Sequence, residues 1–193
     1  MKNNFLIIGI PRSGTSSLMK SIASANNLPF IYEPFRFEVK LSDIDNVVIK
    51  TQFHQLDKLI YSGNVTVEHL EKCLLFYVEF SKQFDNVILI NRKDIKSQCE
   101  SLSVHHSGIN ETQKYIYTKE VYGDKAKLLY NNIKLINKYL IKLSEKINVP
   151  IDTYEEIYYG TGLINKSILL DIDILNTKNK YRQSFFDNTN TLI

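Results

Sequence analysis

Phe5-Leu6-Ile7-Ile8-Gly9-Ile10-Pro11-Arg12-Ser13-Gly14-Thr15-Ser16 carries three structural signals in twelve residues. It opens with a short apolar run that ends at Gly9, the pattern of a parallel strand buried on both faces. Pro11 to Gly14 break the run. A helix is predicted from Thr15 to Ala25, with Leu18, Ile22 and Ala25 on one face. A strand, a glycine-bearing loop and a helix start, in that order, make an anion site. The loop aims successive backbone N–H groups at the anion, and the helix N-terminus adds positive potential.

Outward from this stretch the alternation repeats. Phe30-Ile31-Tyr32 reads as a second strand stopped by Pro34, and Val47-Val48-Ile49 as a third. A helix is predicted from Val67 to Gln83, capped by Thr66, with Leu70, Leu74, Tyr77 and Ser81 at helical spacing. Asn86 to Ile90 reads as the fourth strand, followed by a helix from near Asp94 to about Val104. Lys119 to Ile147 reads as one long helix, or two broken near Gly123, with a stripe of Leu129, Ile133, Ile136, Leu140, Leu143 and Ile147. Val149 to Thr153 reads as the last strand and Ile164 to Leu175 as a helical stretch, before a polar, Asn-rich tail. Such alternation predicts an α/β fold of three layers, a central parallel sheet with helices on both faces. Ligands in such sheets bind beyond the carboxyl ends of the strands, and every motif considered below follows a strand. Neither repeats nor a linker divide the chain, so residues 1–193 are expected to form a single domain.

Bulk properties narrow the function. The chain has 193 residues, 44% hydrophobic and 23% charged, which suits one core and excludes disorder throughout. Its net charge of +3 is too small to argue for nucleic acid, and no such partner is expected. Cys73 and Cys99 lie in apolar helical patterns and read as buried free thiols, so neither a disulfide framework nor a metal site is expected. The apolar run at the N-terminus is too short for a signal peptide. No stretch approaches the roughly 20 apolar residues of a membrane span. A complete, cytoplasmic domain without a membrane span is therefore expected.

The loop carries a resemblance. Gly9 and Gly14 stand five positions apart, as in a P-loop, but Thr15 stands where nucleoside triphosphatases have lysine. The cation sits inside the loop instead, at Arg12. The Pro-Arg-Ser-Gly-Thr-Ser run resembles the 5′-phosphosulfate loop of the sulfotransferases that use 3′-phosphoadenosine 5′-phosphosulfate (PAPS). This resemblance implies a P-loop nucleoside triphosphate hydrolase-like fold, PAPS as donor, adenosine 3′,5′-bisphosphate as product, and no metal. It implies that Pro11, Arg12, Ser13, Gly14, Thr15 and Ser16 hold the 5′-phosphosulfate. The family binds the 3′-phosphate with an Arg at the end of a central strand and a Ser about two turns into the next helix. Here that points to Arg92 and Ser101, with Lys93 in place of Arg92 if the spacing is eight residues. An Arg fork binds phosphate in bidentate fashion. Lys180-Tyr181-Arg182-Gln183-Ser184 resembles the basic stretch that some members fold over the donor, which adds Arg182. Val149 to Glu156 resembles the family's late strand and Tyr-Glu segment. The likeness runs from Phe5 to about Ser184.

Sulfuryl transfer is an in-line displacement in which a base takes the proton of the acceptor hydroxyl. Two residues compete for that role. Glu33, in Ile31-Tyr32-Glu33-Pro34-Phe35, resembles the Tyr-Glu-Pro segment of carbohydrate sulfotransferases, which implies a Glu base and a sugar acceptor. The same carboxylate has an alternative use as a partner of Arg12 or Arg36. His54 follows Lys50-Thr51-Gln52-Phe53, which resembles the Lys-Thr-His segment of members acting on phenols and steroids, except that Gln52 holds the family's His position. Lys50 would support the leaving oxygen or the acceptor. His105 and His106 suit a helix C-terminus or an acceptor site. The acceptor class is a small molecule or glycan. Two rivals stand beside this reading. One is a small-molecule P-loop kinase, which needs a lysine after Gly14 and an acidic magnesium ligand at a strand end, where Thr15 and Asn91 stand. The other is a degenerate domain that binds a nucleotide without turnover.

Overall fold

Side chains of β1 (Phe5–Gly9) alternate between the two faces of the sheet, and all five residues are buried. In this computed structural model, residues 3–35, 41, 45–56, 65–99, 102 and 123–159 are described. Beside β1 lie β2 (Phe30–Tyr32), β3 (Val48–Gln52), β4 (Asn86–Asn91) and β5 (Ile151–Thr153). They form one five-stranded sheet in the order β2-β3-β1-β4-β5, and every pairing is parallel. The helices are α1 (Thr15–Asn26), α2 (Val67–Ser81), α3 (Gly123–Ile147) and α4 (Tyr154–Tyr159), with a helical turn over 95–99.

Period-two alternation builds the layers. Phe5 and Ile7, with Val48 and Ile90, pack on Leu18, Met19, Ile22 and Ala23 of α1 and on Ile157 of α4. Leu6 and Ile8, with Ile49 and Leu89, pack on Leu70, Cys73, Leu74 and Tyr77 of α2 and on Ile133, Ile136, Leu140 and Leu143 of α3. Each fully buried Leu or Ile contributes about 1.5–3 kcal/mol. A central strand apolar on both sides is thus held by helices from both sides. The fold is the three-layer α/β arrangement that the alternation predicts.

Several boundaries are set by local hydrogen bonds. Thr66 Oγ1 accepts from His69 N at 3.2 Å and starts α2. That helix ends at Ser81 instead of Gln83. The N–H groups of Lys82, Gln83 and Phe84 bond to carbonyls three residues back, which tightens the last turn out of α geometry. Asn27, at φ 52, closes α1 with its N–H on the Ala23 and Ser24 carbonyls. β3 runs on to Gln52, past the predicted Ile49, because Lys50, Thr51 and Gln52 are polar yet sit in the ladder opposite Ile7, Ile8 and Gly9. Cys73 and Cys99 are both buried. The predicted helix over Ile164 to Leu175 and the tail lie outside the described residues. Among the described residues, no helix is long and apolar enough to cross a membrane.

The topology also places a crevice. From β1 the chain passes toward the β3–β2 side of the sheet, and from β4 it passes toward β5. The carboxyl ends of β1 and β4, where Gly9 pairs with Ile90, therefore form a topological switch point.

Candidate functional site

The loop after β1 opens into that crevice and is built from backbone. Ser13 N and Ser13 Oγ both donate to the Ile10 carbonyl, at 3.3 and 2.8 Å, and fold residues 10–13 into a tight turn. Arg12 is held at φ 63, a left-handed conformation that a non-glycine residue adopts only when its surroundings impose it. Gly14, at φ 83, is the N-cap of α1 and brings no side chain to the first N–H groups of the helix. Both glycines are sterically required. A Cβ on Gly9 would lie 2.4 Å from Thr15 Cγ2 and 2.8 Å from Ile90 Cγ2. A Cβ on Gly14 would lie 2.6 Å from Tyr158 Cε2 and 2.8 Å from Tyr154 Cδ2. Ser13 and Thr15 are buried, while Arg12, Gly14 and Ser16 keep partial exposure at the mouth. The Gln98 side chain donates to the Pro11 carbonyl and ties the loop to the helical turn over 95–99.

Beyond β4, two basic residues take different directions. The Arg92 guanidinium lies 4.7 Å from the centroid of the Tyr154 ring, and Tyr154 in turn packs on Gly14 and on Tyr158, at 4.5 Å between centroids. Lys93 Nζ turns to Glu156 at 2.7 Å and is largely exposed. Glu155 lies between them. Its carboxylate accepts from Lys93 N at 3.0 Å and Asp94 N at 3.3 Å, and stands 3.8 Å from Arg92 Nε. A carboxylate of α4 thus already occupies the anion-binding start of this helical turn.

On the other side of β1, the ends of β2 and β3 bring Glu33, Lys50 and Gln52 together. Lys50 and Gln52 point to the same side of β3, as period two demands. The Lys50 ammonium donates to Glu33 Oε1, and Gln52 Nε2 donates to the same oxygen at 2.8 Å. Glu33 is 0% exposed and Lys50 1%. The Lys50 ammonium also lies 4.3 Å from the centroid of the Tyr32 ring. Glu33 has φ 45 and its N–H is bonded to the Lys50 carbonyl at 2.7 Å, so backbone and side chain both tie it to β3. Proton transfer at this carboxylate therefore requires an acceptor to displace what covers it.

Thr51 faces the opposite layer, where its hydroxyl meets Tyr77 Oη at 2.9 Å, and burial pushes the Tyr77 phenol well above its ordinary value. His54 is buried, and burial pulls its imidazole from 6.5 to about 4, against the opposing pull of the Glu33 charge. The His54 carbonyl accepts from His69 Nε2 at 2.8 Å, and Cys73 Sγ lies 3.2 Å from the same nitrogen.

The structure thus gathers Pro11 to Ser16 in one loop, sets Arg92 on a ring touching that loop, and clusters Lys50 with Glu33. It ties Lys93 to Glu156 and keeps His54 in the interior. Ser101, Arg182, Arg36, His105 and His106 lie outside the described residues. Sequence reasoning misses Gln98 and Tyr158, places Tyr154 and Glu155 in a family-like segment without giving them a role, and takes Gln52 only as a departure from a motif. The Tyr154-x-x-x-Tyr158 spacing after β5 was an available signal, because residues four apart share a helix face.

No family model matches the chain, and no curated protein matches it. Among solved structures it is similar to a gluconokinase from Sinorhizobium meliloti 1021, at 13% identity, covering 76% of this chain and 96% of that one, with a TM-score of 0.28. A likeness this slight carries no argument about chemistry, which rests on the residues themselves.

Proposed function

We propose that the chain is a sulfotransferase, one domain acting in the cytoplasm, that moves the sulfuryl group of PAPS to a hydroxyl of a small molecule or glycan. One observation carries this reading: the loop from Gly9 to Ser16 has phosphate-loop form at the switch point, yet its cation is Arg12 and its lysine position is Thr15. In this reading the N–H groups of the loop and the start of α1 hold the 5′-phosphosulfate, with Arg12 and the hydroxyls of Ser13, Thr15 and Ser16 around it. No residue in this set calls for a metal.

The residues around the second phosphate fit in part. Arg92 supplies a fork beside the Tyr154 ring, but a 3′-phosphate there must displace the Glu155 carboxylate from the Lys93 and Asp94 N–H groups. Lys50, one strand from the loop, stabilises charge on the transferring group, and Glu33 takes the proton of the acceptor hydroxyl. His54, with its imidazole near 4, is poorly matched to proton abstraction at neutral pH. The Tyr-Glu-Pro segment at Glu33 favours a carbohydrate acceptor.

A second reading, donor binding without turnover, is favoured by one observation, the complete burial of Glu33 in its pair with Lys50. A thermal-shift titration with adenosine 3′,5′-bisphosphate beside ATP plus magnesium tests both, followed by turnover with generic acceptors. At about 100 times its Kd a ligand adds about 2.7 kcal/mol, a Tm rise of roughly 5–10 °C for this size. A rise with the bisphosphate and transfer from PAPS are expected. Binding without transfer would leave the non-catalytic reading, and a rise only with ATP and magnesium would replace both with a kinase.

A further inference from the structure

The α4 helix touches the phosphate loop at one atom that matters for anion binding. Tyr158 Oη donates to the Gly14 carbonyl at 2.7 Å across 144 residues of sequence. That carbonyl already accepts the helical bond from Leu18 N at 3.1 Å. A helix carbonyl has no need of a second donor for its own satisfaction. The ring of Tyr158 packs against the α1-side core, a role that a phenylalanine would fill equally. The hydroxyl is therefore the unexplained part.

Peptide planarity gives the hydroxyl a consequence. The Gly14 carbonyl and the Thr15 N–H belong to one rigid plane and point in opposite directions. Gly14 is a glycine at φ 83, free to swing that plane where another residue is not. Two bonds on the carbonyl, from Leu18 below and Tyr158 beside, stop the swing. The Thr15 N–H then points the opposite way, off the N-terminal end of α1.

We propose that Tyr158 is a positioning residue of the donor site, its hydroxyl locking the Gly14–Thr15 peptide so that the Thr15 N–H faces the 5′-anion. The inference rests on the reading of the loop as a nucleotide 5′-phosphate site and adds a residue that acts through Gly14, without touching the ligand.

The test compares the full-length wild-type chain and Tyr158→Phe by calorimetric titration with adenosine 3′,5′-bisphosphate and adenosine 3′-monophosphate, and follows the wild-type Thr15 amide by NMR in the same titrations. Tyr158→Phe should weaken the bisphosphate roughly three- to tenfold, the weight of one neutral hydrogen bond. It should leave the 3′-monophosphate unchanged and lower Tm by no more than about 4 °C. In the wild type the Thr15 amide proton should move downfield when the bisphosphate is added and stay in place with the 3′-monophosphate. Equal affinity in wild type and Tyr158→Phe, or a loss shared by both ligands, overturns the proposal. If Tyr158→Phe does not fold, the wild-type Thr15 amide decides, and a resonance that the bisphosphate leaves unmoved overturns it. A wild type that binds ATP with magnesium and not the bisphosphate overturns the sulfotransferase reading alone, and the same variant is then titrated with ATP. A wild type that binds neither nucleotide overturns both.

Discussion

Lys50 and Glu33 form an ion pair with almost no exposure of either side chain, joining the middle of β3 to the residue that follows the adjacent strand β2. Such a pair is costly to break from one side, because the remaining charge stays buried and uncompensated, at about 3–5 kcal/mol. It is also what links the fold to the proposed chemistry. The two contributions separate by mutation.

Glu33→Gln keeps the shape of the side chain and removes its charge. Stability should fall by about 3 kcal/mol, a Tm drop of roughly 6–12 °C for a chain of this size. Turnover should fall by roughly 10²–10⁴ in kcat while the donor still binds. The double variant Glu33→Gln, Lys50→Met removes both charges and should recover much of the stability without recovering turnover. Near-normal turnover in Glu33→Gln would remove Glu33 from the mechanism.

Gly14→Ala should damage the loop more than any neighbouring substitution. The new Cβ meets the Tyr158 and Tyr154 rings at 2.6 and 2.8 Å, at a φ of 83 that L-residues resist. The backbone cost alone is about 1–2 kcal/mol, and α4 must shift to make room. A Tm drop of several degrees and more than tenfold weaker bisphosphate binding are expected. Wild-type affinity in this variant would show that the loop does not hold the ligand.

Arg92→Ala should separate the two phosphates of the donor. Affinity for adenosine 3′,5′-bisphosphate should fall by roughly ten- to a hundredfold, as for loss of a charge-assisted pair. Affinity for adenosine 5′-monophosphate should stay within about twofold, because the loop from Gly9 to Ser16 is intact. Equal losses for both ligands would place Arg92 in the support of the Tyr154 ring instead of the 3′-phosphate site.

His54 should make the protein acid-sensitive. Its imidazole titrates near 4 when folded and near 6.5 when unfolded, so the unfolded chain binds more protons between those values. Stability is full above about pH 6.5 and falls as the pH drops toward 4, by about 3 kcal/mol from this residue. Denaturation midpoints measured from pH 7 to pH 4.5 should fall steeply in the wild type and less steeply in His54→Gln. Identical slopes would show that His54 is not the group responsible.

The layered plan and the loop are legible from local sequence. The runs from Phe5 to Ile8 and from Val87 to Ile90 are apolar without alternation, and only strands covered on both faces use such runs. Gly9, Gly14 and the cation at Arg12 are legible because loop geometry constrains residue type locally: each glycine must lack a Cβ where a neighbour already sits. The third strand was legible only through Ile49, since its polar end is buried by partners from elsewhere in the chain. Pairing over distance is not legible in that way. Nothing in the local sequence of Gln52 shows that its amide meets Glu33, 19 residues away, or that Tyr158 reaches Gly14 across 144 residues. Period and propensity act within a few residues, whereas these contacts depend on strand order. The order β2-β3-β1-β4-β5 sets Glu33 beside Lys50, and by pairing β5 with β4 it brings α4 over the loop.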